Sequence, residues 1–262
     1  MSGDRNFDDL SGRFKKNIYN TAKGKLRLAI LQEDLQPYVE NINGENPLRI
    51  LDAGCGQGQL SLWLAEQGHE ILLCDHSNEM LSQARENFAK HQSDAKIEFL
   101  HAPIQDLNKN SVGEFDLVLN HAVLEWVTNP AEVLSTTVSL LKPKGKLSLL
   151  YYNSNSLVFR NLIRGNFYKV KSGDFKGEAG GLTPTNPLNP QEVEYELNQL
   201  GLNIEIQSGV RVLYDYMSKD LQQSRSFEDI LEMERTYCRQ QAFQYLGRYI
   251  HIIATIDAAN QL

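Results

Sequence analysis

The residues best able to do chemistry sit in one short run, Asp52-Ala53-Gly54-Cys55-Gly56-Gln57-Gly58, with three alternating glycines. Glycine adopts positive φ without penalty and lets a ligand lie directly against backbone. A helix that starts there adds unpaired N–H groups and the positive end of its dipole. Asp75 follows 23 residues after Asp52, and a carboxylate at that place in a βα unit can accept both hydroxyls of a ribose. The pattern predicts a site for a nucleoside-bearing ligand. Its spacing is G-x-G-x-G, not the G-x-G-x-x-G of a dinucleotide fingerprint. Other chemistries find no foothold. The six His and three Cys are scattered, with no C-x-x-C or H-x3-H pair and no G-x-S-x-G elbow, so no metal site or serine nucleophile is expected.

These residues need a frame, and hydrophobic periodicity supplies it. Ala22 to Val39 reads as an amphipathic helix, with Leu26, Ala29, Ile30 and Leu35 at helical spacing. Leu48 to Asp52 is a short strand running into the glycine turn, and a helix follows from Gln59 to about Gln67. Glu70–Asp75, Ile97–His101, Phe115–Asn120 and Lys146–Tyr151 read as further strands. Between them lie helices from Ser77 to about Lys90 and from about Pro130 to Leu141, the latter stopped by Lys142-Pro143-Lys144-Gly145. Four βα units in succession predict a parallel, doubly wound α/β sheet with the glycine turn at its switch point. Residues 153–187, holding Gly165, Gly173, Gly177, Gly180, Gly181, Pro184 and Pro187, read as a long functional loop. A helix from Pro190 to Leu200, a strand over Leu202–Gln207, a helix near Phe227–Gln240 and a strand over Arg248–Thr255 follow. With no repeat or linker, residues 1–262 read as one domain, with an N-terminal helical cap (about 1–45) and insertions at about 153–187 and 209–247.

Hydrophobic content of 41% and charged content of 23% exclude disorder and fibrous repeats. No apolar run reaches membrane-helix length, the first residues lack a signal-peptide core, and the cysteines suggest a reducing compartment, so a cytoplasmic protein is expected. The net charge of −7 is unevenly spread. Leu10–Gln32 holds six bases and no acid, and Lys142–Gly173 holds seven bases and no acid. Such windows can offer a local positive face to an anion.

The glycine turn and the acid before it resemble the first motif of class I S-adenosylmethionine-dependent methyltransferases. Gln105-Asp106 resembles that class's adenine-contacting element, Phe115-Asp116-Leu117-Val118 its fourth strand, and Leu140 to Gly145 the turn before its fifth. More specific blocks lie outside these: Arg5-Asn6-Phe7-Asp8-Asp9, Asn17-Ile18-Tyr19, Gly24-Lys25-Leu26-Arg27, His121 to Trp126, Gly165-Asn166-Phe167, Gly209-Val210-Arg211-Val212 and Gly247 to His251. They resemble the bacterial tRNA 5-carboxymethoxyuridine methyltransferases. The resemblance implies a doubly wound, mostly parallel, seven-stranded Rossmann-like methyltransferase sheet with helices on both faces. It implies S-adenosylmethionine as cofactor and, as partner, a tRNA anticodon loop whose wobble carboxymethoxyuridine becomes a methyl ester. Cofactor contacts then map onto Arg27, Gly54, Cys55, Asp75, Ile104, Gln105 and His121. Two positions depart from the family pattern. Cys55 stands where a further glycine is common, which is tolerable at negative φ, and Lys144 occupies the turn before the fifth strand.

A carboxylate is already ionised at neutral pH, so methyl transfer onto it needs no general base, and no catalytic acid–base residue is expected. Recognition of an RNA loop requires aromatic rings and cations. The candidates are Tyr151, Arg160, Arg164, Arg211 and Arg248, with Tyr152 beside the site, Tyr168, Lys169, Lys171 and Tyr214 around it, and Lys15 and Lys16 from the first basic window. Trp126 is expected to pack in the pocket wall. A small-molecule O-methyltransferase and a non-catalytic cofactor- or tRNA-binding module remain open alternatives.

Overall fold

Alternating strand and helix patterns place a parallel sheet between two apolar layers. The computed structural model describes residues 4–8, 21–40, 46–91, 95–175, 184 and 186–256. The strands are β1 (Arg49–Ala53), β2 (Glu70–Asp75), β3 (Ile97–His101), β4 (Phe115–His121), β5 (Leu141–Tyr152), β6 (Leu202–Val210) and β7 (Tyr249–Ile256). The α-helices are α1 (Ala22–Val39), α2 (Gln59–Glu66), α3 (Asn78–Ala89), α4 (Lys109–Val112), α5 (Pro130–Ser139), α6 (Ser154–Ile163), α7 (Phe167–Ser172), α8 (Pro190–Gln199), α9 (Lys219–Ser224), α10 (Phe227–Tyr237) and α11 (Gln241–Gln244). No described helix is long and apolar enough to cross a membrane.

The strands form one sheet in the order β3-β2-β1-β4-β5-β7-β6. β7 runs antiparallel to both of its neighbours, and the pairs from β3 to β5 are parallel. Strand order reverses between β1 and β4, so the chain ends of these two strands open a crevice. Side chains alternate faces: Leu51, Val118, Leu149 and Ile252 join one buried cluster, while Ile50, Leu117, Leu150 and Ile253 join the other. A sheet covered on both faces reads in sequence as continuous apolar runs. α1 is capped by Thr21, whose hydroxyl accepts from Gly24 N; it buries Leu26, and packs Ile30, Leu31, Leu35 and Val39 on the second face. Burying each such leucine or isoleucine stabilises by about 1.5–3 kcal/mol.

Three expectations are corrected. Residues 153–187 are not one loop: α6 and α7 occupy 154–163 and 167–172. α6 begins at Asn153, whose side chain accepts from Asn155 N, and its polar first turn hides an apolar face of which only Leu157 is fully buried among the large side chains. β5 starts at Leu141 instead of Lys146, because the Lys142–Gly145 segment stays in the sheet through an irregularity opposite Phe115. Lys144 takes φ +63° there. The helix expected to reach Gln240 stops at Tyr237.

Candidate active site

The crevice holds a cavity of about 370 Å³, a size typical of small-molecule sites. Its floor is the β1–α2 turn. Gly54, Gly56 and Gly58 have φ of +82°, +53° and +67°, so each uses the freedom that glycine gives. A Cβ on Gly54 would lie 2.4 Å from Val123 Cγ2. Cys55 is not among the residues with positive φ, which is why a side chain is accommodated between two glycines.

Asp75, at the end of β2, accepts Gly56 N on one oxygen and Ser77 N on the other, both at 2.8 Å. Its carboxylate thereby ties the glycine turn to the N-terminus of α3. Burial raises its pKa against those two bonds. Asp52, at the end of β1, accepts Ser61 Oγ at 2.5 Å, and burial together with the charge of Asp75 lifts it to about 7. Ile104 and Gln105, from the turn after β3, line another wall. His121 ends β4 and Val123 and Trp126 follow it, with Ala122 between at φ +58°. Arg27 reaches the cavity from α1. All seven residues carried over as cofactor contacts therefore line one cavity: Arg27, Gly54, Cys55, Asp75, Ile104, Gln105 and His121. Trp126 is a wall residue, packed edge-on against Phe7 at 5.0 Å.

The sequence reading missed the strap formed by residues 4–8. Asp4 accepts Thr128 N at 2.7 Å and Gln105 Nε2 at 2.6 Å, Arg5 N donates to Trp126 O, and Asp8 accepts Ser77 Oγ at 2.5 Å. Asp4, Arg5 and Phe7 line the cavity. The Arg5–Asp9 block served there only as a family marker, and nothing in its composition tells which surface it crosses. Also unforeseen was Glu125, fully buried beside the site, where burial pushes its carboxyl up to about 8.

A second group of side chains adjoins the cavity through Tyr249, which lines it. Tyr152 and Tyr249 pack at 5.3 Å, Arg248 lies over the Tyr152 ring at 4.7 Å and Arg211 over the Tyr249 ring at 5.4 Å. Two glycines bring these arginines together. A Cβ on Gly247 would sit 2.5 Å from Gly209 Cα, and one on Gly209 would sit 2.4 Å from Gln244 O, so the segments approach closely only because both side chains are missing. Arg211 itself is held at φ +63°. Glu234 supports the turn after it by accepting the backbone N–H groups of Val212 (2.7 Å), Leu213 (3.1 Å) and Tyr214 (2.8 Å). Asp215 pairs with Arg211 at 3.0 Å and with Lys23 at 3.6 Å. Arg160 and Arg248, each half-buried, make no such ion pair among the described residues, and one nitrogen of each, Arg160 Nε and Arg248 Nη1, is buried without a hydrogen-bond partner there. Burial, with the nearby charges of Arg248 and Arg164, lowers the Arg160 pKa.

The other candidates separate. Tyr151 is corrected as a contact residue: it is fully buried on the opposite face of β5, its hydroxyl unpartnered, because strand alternation sends Leu150 and Tyr152 towards the site and Tyr151 away. Arg164, Lys169 and Lys171 are exposed on or beside α6 and α7, next to Phe167 (57% exposed) and Tyr168 (87% exposed). Tyr214 is partly buried in the turn held by Glu234. Lys15 and Lys16 lie outside the described residues.

The strand order, the glycine turn and the acids closing β1 and β2 define a class I methyltransferase fold. Residues 51–149 match the methyltransferase domain family. The magnesium protoporphyrin IX methyltransferase of Synechocystis PCC 6803 shares this fold, with a TM-score of 0.65 at 17% identity over 96% of each chain. The chain is 44% identical, over 96% of its own length and 96% of the relative's, to the tRNA 5-carboxymethoxyuridine methyltransferase of Escherichia coli (strain K12). The ubiquinone biosynthesis O-methyltransferase of Acinetobacter baylyi is 25% identical over 65% of this chain and 70% of its own. The chain belongs to the tRNA 5-carboxymethoxyuridine methyltransferase family.

Proposed function

We propose that this protein transfers a methyl group from S-adenosylmethionine to the carboxylate of 5-carboxymethoxyuridine at the wobble position of tRNA, giving the methyl ester. The observation that carries the reading is the pair Arg160 and Arg248, half-buried near Tyr152 and Tyr249, each with one buried nitrogen, Arg160 Nε and Arg248 Nη1, that has no hydrogen-bond partner among the described residues. Half-buried guanidinium groups with unpaired donors form a receptor for an anion, the carboxylate nearest Arg160, Asp215, being already paired with Arg211. The relative that covers 96% of this chain is named for a carboxylate-bearing uridine.

The cavity residues fit the cofactor. A side chain at Gly54 would fill the space between the turn and Val123, and Asp75 keeps lone pairs free for ribose hydroxyls after accepting two backbone N–H groups. Asp52 and His121 offer acceptors to an ammonium, and Arg27 offers donors to a carboxylate. When bound, the cofactor supplies an electrophilic methyl group on a sulfonium. The protein supplies position: Arg160 and Arg248 draw in the substrate carboxylate, Tyr152 and Tyr249 form an aromatic wall between them and the cavity, and the strap of residues 4–8 reduces access of water. Orienting the oxygen in line with the methyl–sulfur bond accelerates the displacement without proton transfer. The uridine leaves the base stack to reach the crevice, and the exposed Phe167, Tyr168, Lys169 and Lys171 offer stacking surface and phosphate contacts to the rest of the loop.

The test is Arg160→Met with Arg248→Met, assayed on tRNA carrying the unesterified nucleoside. The KM for tRNA is expected to rise at least tenfold while S-adenosylhomocysteine binds as in wild type. An unchanged KM would contradict the reading. A small-molecule substrate, the alternative, would show turnover insensitive to salt, whereas activity on tRNA falls steeply as salt rises.

A further inference from the structure

A chain of buried polar side chains runs through the sheet from α1 to the cavity. Asp34 is 1% exposed. Its Oδ1 accepts Ser208 Oγ at 3.0 Å, Arg239 Nε at 2.8 Å and Arg239 Nη2 at 2.6 Å. Its Oδ2 lies 2.7 Å from His251 Nδ1. His251 Nε2 is 2.8 Å from Ser148 Oγ, and Ser148 Oγ is 2.8 Å from His121 Nε2. His251 and Ser148 have no exposed surface. The four residues lie on α1, β7, β5 and β4, and the rings of His251 and His121 meet edge-on at 5.6 Å. His121 lines the cavity and its Nδ1 has no partner among the described residues.

The chemistry of the first link orders the rest. Burial works against ionising Asp34, yet the hydrogen bonds from His251 and Arg239 and the charge of Arg239 hold its carboxyl below the ordinary range. A carboxylate can only accept, so the proton on His251 must be on Nδ1. Arg239 already balances the Asp34 charge, and a second buried cation beside it would have no counter-ion, so the charge count places a lone pair at His251 Nε2. That lone pair takes the Ser148 hydroxyl proton, and the serine oxygen then accepts from His121. Burial foremost, with the charge of Arg27, holds the His121 pKa well below the ordinary imidazole range, so its ring is neutral.

We infer that Asp34, His251 and Ser148 form a positioning relay that fixes His121 as its Nε2–H tautomer, so that Nδ1 is presented to the cavity as an acceptor for the ammonium of the cofactor's methionine moiety. The inference rests on the cofactor reading above. Without the relay an imidazole prefers neither tautomer strongly, and the Nδ1–H form would oppose an ammonium with a second donor. Helix α1 thus acts on the cavity twice, through Arg27 at its wall and through Asp34 behind the sheet.

The relay is tested on full-length protein with 15N-labelled histidine. Long-range proton–nitrogen spectra assign the tautomer of His121, and calorimetry with S-adenosylhomocysteine gives the dissociation constant. Wild type is expected to show Nε2–H with an unprotonated Nδ1 whose resonance moves on titration. Ser148→Ala breaks the middle link with a minimal change of shape; it is expected to mix the two tautomers and to weaken S-adenosylhomocysteine about tenfold, the scale of one hydrogen bond to a charged group. Asp34→Asn should act alike, but it strands Arg239 and can unfold the protein, so Ser148→Ala decides. An Nδ1–H tautomer in wild type, or Ser148→Ala that leaves tautomer or affinity unchanged, would overturn the inference. If wild type binds no S-adenosylhomocysteine, the cofactor reading fails, while the wild-type tautomer still decides whether the relay exists.

Discussion

Replacing Gly54 by alanine strikes the floor of the cavity, and its cost follows from two observations. At φ +82° an alanine pays about 1–2 kcal/mol for the left-handed conformation. The added Cβ would also lie 2.4 Å from Val123 Cγ2. Val123 is β-branched and stiff, so its methyl group escapes only if the segment after β4 shifts, at about 1–3 kcal/mol for overpacking. The sum is about 2–5 kcal/mol. Part appears as lost stability, where 1 kcal/mol lowers Tm by about 2–4 °C in a protein of this size class. Part appears as lost affinity, because the same shift moves His121 and Trp126 in the cavity wall, and each 1.4 kcal/mol is about tenfold. Calorimetry with S-adenosylhomocysteine should show at least tenfold weaker binding by Gly54→Ala, with Tm lower by several degrees. Cys55→Gly, one residue along and outside the positive-φ region, should bind within about twofold of wild type. Wild-type affinity and Tm in Gly54→Ala would refute the reasoning.

Four further outcomes follow from the geometry. Glu234→Gln removes one acceptor from the turn that holds Arg211, leaving at least one backbone N–H unsatisfied at about 1–3 kcal/mol, so turnover on tRNA should fall while S-adenosylhomocysteine affinity holds; equal losses of both would count against it. Asp52 keeps its proton up to about pH 7. An ammonium-bearing ligand favours the ionised form, so affinity should be full above that pH and fall towards tenfold per unit below it, and Asp52→Asn should flatten the profile. The same raised pKa makes the ligand-free protein lose stability as pH rises from about 4 to about 7, which thermal melts of wild type and Asp52→Asn would register. Finally, Tyr151→Phe removes a buried, unpartnered hydroxyl and should leave KM for tRNA unchanged and Tm equal or higher.

How much of this was legible in the chain depended on whether the governing interaction was local. The glycine turn announces itself because its demand, positive φ beside a strand end, is met within five residues, and Asp75 follows from the repeat of the βα unit. The sheet was legible for the same reason, as period and length separate strands from helices. Tyr151 was misread although the information was present: Leu150 belongs to the site face, so its neighbour had to point away. α6 was hidden because its first turn is polar and Leu157 is its one buried large side chain. Arg211 and Arg248 come together only because Gly209 and Gly247 touch across the fold, and no periodicity reports a contact between segments so far apart. The strap of residues 4–8 and the Asp34–His251–Ser148–His121 chain are likewise contacts between distant segments.

The central claim is methyl ester formation on a wobble carboxylate. Bulk bacterial tRNA treated with mild alkali, which returns any ester to the carboxylate, would be incubated with this protein and isotope-labelled S-adenosylmethionine, and its nucleosides analysed by mass spectrometry. The account predicts label confined to 5-carboxymethoxyuridine, as the mass of one added methyl in place of a proton, and its complete loss on a second alkali treatment. Label on another nucleoside, label that survives alkali, or no label from protein that binds S-adenosylhomocysteine would contradict it.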